Sequence, residues 1–190
     1  MNELLAKIRN CNVCEKHLVS GVNPIIAASN NSRLIIIGQA PGRVVHETGI
    51  PWNDKSGDNL RNWLGIDKAT FYDANNIALM PMGFCYPGTG KSGDLPPRTE
   101  CAPLWHHLLL ENMKHIELII LIGQYAQNYY LQNTAKATLT DTVRNFKTYL
   151  PKYLPLPHPS PRNNIWQAKN EWFGEAVLPE LKQLIDKIIH

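Results

Sequence analysis

Four cysteines are the first residues of this 190-residue chain whose type and spacing indicate chemistry. Cys11 and Cys14 form a C-x2-C pair, 70 residues separate that pair from Cys85, and 15 more separate Cys85 from Cys101. We expect a cytoplasmic protein, and disulfides are rare in a reducing compartment. The four thiols therefore indicate an iron–sulfur cluster or a structural zinc site, between which spacing does not distinguish. Four unrelated thiols are the alternative interpretation.

A histidine-bearing loop, HPSPRN at residues 158–163, is the second such feature. His158 lies between two prolines, which restrict the backbone and hold the imidazole in place. A fixed imidazole can donate a hydrogen bond to a developing oxyanion. Ser160, Arg162 and Asn163 beside it are residue types that contact phosphates. A histidine with a purely structural role is the alternative.

Two glycine-rich segments add further candidates. In GQAPGRVVHETG, residues 38–49, Gly42 allows a ligand to approach the backbone closely, although a tight structural turn is the alternative. The segment GTGKSG, residues 88–93, looks like a nucleotide-binding P-loop. It fails that test because Cys85 occupies the position of the first glycine and the DLPP that follows cannot begin a helix. A flexible basic loop that touches phosphate through Lys91, or a surface turn, is left.

The elements that must position these residues follow from hydrophobic patterning. Four short apolar runs predict strands, at residues 33–38, 77–82, 118–123 and 153–157. Helical patterns lie between and after them, at residues 57–64, 100–113, 124–132 and 170–189. We expect an α/β fold, a three-layer α/β/α sandwich around a four-stranded parallel sheet, in a single domain over residues 1–190. Ligands bind beyond the carboxyl ends of such strands, so the loops that follow them should form one site.

Composition limits the function. Apolar residues make up 44% of the chain and charged residues 18%, which suits a packed core. The net charge of +3 is smaller than a dedicated non-specific DNA-binding protein usually carries. No apolar run approaches the roughly 20 residues of a membrane helix, and the N-terminus lacks an apolar signal segment. We expect a monomer without membrane association.

Taken together, GQAPG after the first strand, HPSP after the last strand and the cysteine spacing resemble the uracil-DNA glycosylase superfamily. The cysteine spacing is similar to that of the iron–sulfur, or family 4, branch. Stretches such as GIPWNDKSGDNLRNWLGI, MGFCYPGTGKSGDLPPR and LPLPHPSPRNN resemble, over nearly the whole chain, a bacterial group of uracil-DNA glycosylase-like proteins. Enzymes of this superfamily flip a damaged base out of DNA and cleave its N-glycosidic bond.

The resemblance implies a role for each candidate. His158 would stabilise the departing base, and Trp52 would stack on it. The base-binding loop would be Ala40, Pro41 and Gly42. DNA would be contacted by Arg43, Lys91, Ser160, Arg162 and Asn163. A [4Fe–4S] cluster, or alternatively a structural zinc ion, would be held by Cys11, Cys14, Cys85 and Cys101.

The chain departs from the family where the water-directing carboxylate is expected. The first motif usually carries an aspartate at the position of Ala40, or a glutamate at the position of Gln39. A glutamine can orient a water but cannot take its proton, so Gln39 leaves the base unassigned. Glu47 and Asp54 are the candidate carboxylates. The family asparagine that reads uracil before the third cysteine is also missing, since residues 79–84 contain none.

We therefore expect a DNA glycosylase-like protein of base-excision repair that hydrolyses the N-glycosidic bond of uracil or a related deaminated base. A catalytically weak or inactive nucleic-acid-binding module that senses lesions is the alternative. A hydrolase of small nucleotides or nucleosides is a third reading.

Overall fold

A central parallel sheet organises the chain in the computed structural model, which describes residues 1–91 and 93–190. Ser92, within the predicted basic loop, lies outside the described residues. The strands are β1 (Leu34–Ile37), β2 (Ile77–Leu79), β3 (Thr89–Gly90), β4 (Gly93–Asp94), β5 (Leu118–Ile122) and β6 (Tyr153–Leu156). Four of them form the parallel sheet in the order β2-β1-β5-β6, and β3 pairs with β4 as an antiparallel hairpin. Each sheet strand lies inside a predicted run.

The sheet is buried on both faces because its strands are apolar at every position. Leu34 and Ile36 of β1 belong to one hydrophobic cluster, whereas Ile35 and Ile37 belong to a second cluster on the opposite face. This is the period-two alternation of strand side chains. All four side chains are fully buried, and each contributes about 1.5–3 kcal/mol by leaving water.

Helices cover both faces. The described residues form α1 (Asn2–Arg9), α2 (Arg43–Thr48), α3 (Lys55–Leu64), α4 (Lys68–Tyr72), α5 (His107–Asn112), α6 (Gly123–Leu131), α7 (Leu139–Arg144), α8 (Asn164–Lys169) and α9 (Leu178–Ile189). Buried residues of α3, α4, α7 and α9 join the first cluster, and those of α1, α5 and α6 join the second. The predicted three-layer α/β/α sandwich is confirmed.

Helix boundaries differ from the predictions where local chemistry is decisive. Helix α3 begins at Lys55, two residues early, because the side chain of Asp54 accepts a hydrogen bond from Gly57 N at 2.8 Å and caps the helix. The predicted helices at 100–113 and 170–189 each begin with a π-helical turn, Ala102–His106 and Phe173–Val177. Among the described residues, no helix is both long enough and apolar enough to cross a membrane.

Candidate active site

A cavity of about 750 Å³ lies beyond the carboxyl ends of the strands. The loop after β1 lines it through residues 38–43, and the loop after β6 lines it through His158, Ser160 and Arg162. Trp52 and Asp54 add a third wall, and the β3–β4 hairpin adds a fourth. Segments distant in sequence therefore meet at one site, as the parallel-sheet prediction requires.

The backbone around His158 is fixed by three side-chain amides. Asn163 Nδ2 donates to the carbonyl of His158 at 2.7 Å, and Asn59 Nδ2 donates to the carbonyl of Pro159 at 3.0 Å. The buried Gln127 donates to Leu156 O at 2.9 Å, at the end of β6. Burial lowers the pKa of His158, although the nearby Asp54 carboxylate opposes the shift. The backbone that carries the imidazole is therefore held in place, and the ring is neutral at pH 7, with one N–H to donate.

Trp52 forms the wall beside His158. The two ring centroids are 5.9 Å apart, and a Cβ atom on Gly38 would lie 2.7 Å from Cζ2 of the indole. The Trp52 backbone has φ +55°, which is uncommon outside glycine. Its carbonyl oxygen packs so close to Gly57 that a Cβ atom there would lie 1.7 Å away, and Arg61 Nη1 donates to it at 3.4 Å. Trp52 thus presents its ring because Gly38 and Gly57 leave room for it.

The first loop lines the cavity through Gln39, Ala40, Pro41 and Gly42. Gln39 Nε2 donates to Leu95 O at 3.3 Å, which ties this loop to the segment after β4. Gln39 and His158 also line a neighbouring cavity of about 290 Å³, together with the residues that follow β5.

The two carboxylates singled out from the sequence have different positions. Asp54 lines the cavity, but its Oδ1 is occupied by the Gly57 N–H at the start of α3. The structure does not bring Glu47 into the cavity lining: its side chain is 61% exposed, and it faces Arg43 at 3.9 Å along α2. Asp54 is therefore available for electrostatic support, whereas Glu47 belongs to the surface.

Asp94 is a carboxylate that the sequence reasoning missed. It lies in β4, lines the cavity, and its Oδ2 would be 3.4 Å from a Cβ atom on Gly42. Partial burial raises the pKa of Asp94, and Asp54 raises it further, whereas Arg162 opposes the shift. No pattern in the sequence marked it, because its position depends on a hairpin of two-residue strands that periodicity cannot detect.

The predicted DNA-contacting residues lie around the mouth of this cavity or beside it. Arg43, Ser160 and Arg162 line it, and Lys91 is exposed in the turn of the β3–β4 hairpin. Asn163 lines the neighbouring cavity and supports the His158 carbonyl. Arg43, Lys91, Ser160 and Arg162 are therefore cationic or polar groups around one opening. Asn163 instead positions the His158 backbone.

All four cysteines line one small cavity, together with Arg98 and Trp105. Burial raises the pKa of the Cys14 and Cys85 thiols, and raises that of Cys101 to about 12. In residues 1–91 and 93–190, however, no three His, Cys, Asp or Glu side chains are arranged as ligands of a metal ion. The shared cavity thus supports the prediction that the four thiols lie together. Among the described residues they do not form a metal-ligand set.

The donor chemistry of this cavity fits a sulfur-rich anionic group. Arg98 lies beside Cys14 and pairs with Glu100 at 2.5 Å, which places a cation next to the thiols. The indole Nε1–H of Trp105 is buried and has no acceptor among the described residues. Hydrogen bonds to its sulfurs tune an iron–sulfur cluster, and this N–H is available to donate one.

Fold and sequence similarity together define a DNA N-glycosylase, a hydrolase of N-glycosidic bonds. Residues 26–182 match the family model described as the uracil DNA glycosylase superfamily. The chain belongs to this superfamily, which confirms the resemblance. A relative named Type-4 uracil-DNA glycosylase, from Thermotoga maritima, is 24% identical over 162 residues, which cover 81% of this chain and 78% of the relative.

Proposed function

We propose that this protein hydrolyses the N-glycosidic bond of uracil, or of a related deaminated base, in DNA. The observation that carries the proposal is the pairing of a fixed, neutral His158 with the Trp52 ring in one cavity of nucleotide size. The indole offers an apolar surface to a flipped-out base, and the imidazole N–H is a donor for its carbonyl oxygen.

The reaction places negative charge on the departing base, so stabilisation of that charge lowers the barrier. His158 is suited to this role because a neutral imidazole donates a hydrogen bond without having to lose its proton to the base. The backbone of Ala40, Pro41 and Gly42 forms the adjoining wall, and Gln39 orients a water. Asp54 acts through its charge, which favours positive charge on the sugar.

Base identity depends on the wall formed by the end of β2 and the residues after it, which lie beside the first loop, since Met82 N donates to Gly38 O at 2.8 Å. There the cavity is lined by Leu79 and Pro81, where the family places an asparagine. Neither side chain can donate or accept a hydrogen bond, so uracil would be read by Gln39 and the backbone of the first loop. With fewer hydrogen bonds to the base, the site distinguishes uracil from other bases less sharply. We therefore expect it to accept more than one deaminated base.

DNA would reach this cavity past Arg43, Lys91, Ser160, Arg162 and Asn163. Their charges and hydrogen-bond donors suit the phosphates on either side of a flipped nucleotide. A +3 chain with this local concentration of cations binds DNA mainly through the backbone, with salt-dependent affinity.

The cysteines would hold a [4Fe–4S] cluster through Cys11, Cys14, Cys85 and Cys101. A bound cluster would supply structural cross-linking between the N-terminal segment and residues 85–101. The catalytic steps above use only the side chains of the base cavity. Iron and sulfide analysis of protein purified without oxygen, beside the Cys85→Ser variant, tests this assignment: about four irons per chain support it, and one zinc or no metal contradicts it.

Base release from uracil-containing oligonucleotides, single-stranded and in a G·U duplex, tests the function at enzyme excess. We expect His158→Ala to slow release by about 10²–10³-fold. His190→Ala, at an exposed histidine of the C-terminus, is the matched control and should behave as wild type. Salt-dependent DNA binding without base release would contradict hydrolysis and support the lesion-binding alternative, which the absence of a carboxylate at Gln39 and Ala40 favours.

A further inference from the structure

The hairpin formed by β3 and β4 carries a carboxylate into the base cavity. Thr89 pairs with Asp94, and Gly90 pairs with Gly93. The Leu95 N–H donates to Gly88 O at 2.8 Å, and the Leu95 side chain lies against Gly88 and Gly90, where Cβ atoms would be 3.6 and 3.0 Å away. Gly88 and Gly93 have φ +98° and +133°, a backbone conformation that favours glycine, which explains a glycine-rich segment that is not a P-loop.

Three contacts fix the hairpin over the site. Gln39 Nε2 donates to Leu95 O, and Asp94 Oδ2 lies against Gly42, so both join the hairpin to the first loop. On the other side, Arg162 Nη1 would be 3.2 Å from a Cβ atom on Gly93. The hairpin is thus held between the loop that follows β1 and the loop that follows β6.

We infer that Asp94 is the general base that takes a proton from the hydrolytic water, in the role left vacant by Gln39 and Ala40. The inference rests on the proposed function. Gln39 donates to the carbonyl of Leu95, the residue after Asp94, and both Gln39 and Asp94 line the cavity, which lets one amide and one carboxylate share a water. Asp54 is less suited because one of its oxygens caps α3, and Glu47 is outside the cavity lining.

A lone pair of the water oxygen forms the bond to C1′ of the sugar, and one water proton passes to the Asp94 carboxylate. The bond between C1′ and the base nitrogen breaks, and its electron pair leaves with the base, whose carbonyl oxygen accepts the His158 hydrogen bond. The base anion takes up a proton, Asp94 releases its own, and the products are free base and an abasic site.

The charges around Asp94 suit a base. Burial and the Asp54 carboxylate raise the pKa of Asp94, which increases its affinity for a water proton, while the positive charge of Arg162 opposes the shift. The other ionisable groups around it are Tyr86, whose hydroxyl hydrogen bond to Asp94 also lowers the pKa of Asp94, and His158, which lines the same cavity.

The test compares Asp94→Asn with wild type in single-turnover base release, with Asp186→Asn as a matched control at an exposed carboxylate of α9. We expect Asp94→Asn to slow release by about 10²–10⁴-fold, with affinity for uracil-containing DNA unchanged within threefold. Asp94→Glu should recover part of the rate, because a carboxylate is restored at a longer reach.

The pH profile separates chemistry from structure. The wild-type rate should fall as pH decreases through the pKa of Asp94, and that acidic limb should be absent from Asp94→Asn. Asp54→Asn should keep the limb but move it to lower pH, because a negative neighbour has been removed. Base release by wild type with an Asp94→Asn rate within threefold would overturn the Asp94 assignment alone. No base release by wild type on any uracil substrate would overturn the proposed function and the assignment with it.

Discussion

His106 makes the stability of the protein depend on pH in a way that can be worked out from its contacts. The residue is 1% exposed, and its Nε2 lies 3.1 Å from Pro81 O. A carbonyl only accepts, so Nε2 carries the proton, and Nδ1 accepts from the Tyr130 hydroxyl at 2.7 Å. Because Pro81 lines the base cavity, this buried imidazole also supports one wall of the site.

Burial lowers the pKa of His106 from 6.5 to about 4. Below pH 6.5 the unfolded chain binds a proton at this residue, whereas the folded chain does not until about pH 4, so unfolding becomes easier as pH falls. With 1.36 kcal/mol for each pKa unit, the loss between pH 7.5 and 4.5 is about 2.5 kcal/mol.

Urea unfolding at pH 7.5, 6.0 and 4.5 measures this effect in wild type and in His106→Gln. We expect the free energy of unfolding of wild type to decrease by about 2.5 kcal/mol more than that of the variant over this range. The lowered pKa of His158 affects both proteins equally and cancels. His115→Gln, at an exposed histidine, should keep the wild-type dependence. Equal pH dependence in wild type and His106→Gln would refute the reasoning.

Two further predictions concern the walls of the cavity. Gly57→Ala should lower the free energy of unfolding by about 2–3 kcal/mol, because its Cβ would lie 1.7 Å from the Trp52 carbonyl oxygen. Gly174→Ala, with open space around its Cβ, is the control. An unchanged free energy of unfolding of Gly57→Ala in urea would contradict the packing argument. Arg162→Gln should reduce the dependence of DNA affinity on salt, the slope of log K against log salt, by about 1. It should also move the acidic limb of the rate profile to higher pH, since Arg162 favours the ionised form of Asp94. An unchanged slope would show that Arg162 does not contact DNA.

Much of the fold could be predicted because the decisive signals are local. Continuous Ile and Leu runs such as residues 34–37 supply apolar side chains to both faces of a strand, and only a parallel sheet between two helical layers buries both. Short helices could not be predicted, because a helical period shows only over a longer segment. Helix α2 has six residues, too few for that period to be visible.

Trp52 and Asp54, which lie between α2 and α3 and line the cavity, were candidates through the family resemblance. From strand patterning alone, the site could be predicted only where its residues directly follow a strand. The first loop and the His158 loop satisfied that condition, and both line the cavity. Glu47 did not reach it because Arg43, the first residue of α2, already lies at the cavity lining, and Glu47 follows one helical turn later with a side chain that is 61% exposed. Proximity in sequence to the motif therefore gave a carboxylate one turn beyond the cavity.

Asp94 was hidden for a different reason, and that reason connects the two sites of the protein. The sequence pattern between Cys85 and Cys101 indicates only a phosphate-binding loop or a spacer between thiols. In the structure its ends lie at the cysteine cavity, whereas its middle forms the hairpin that reaches the base cavity. A group that binds both cysteines would fix the two ends of this segment and so restrict the movement of Asp94. The segment between Cys85 and Cys101 therefore carries both the cysteines at its ends and Asp94, the carboxylate that we propose in place of the missing motif residue.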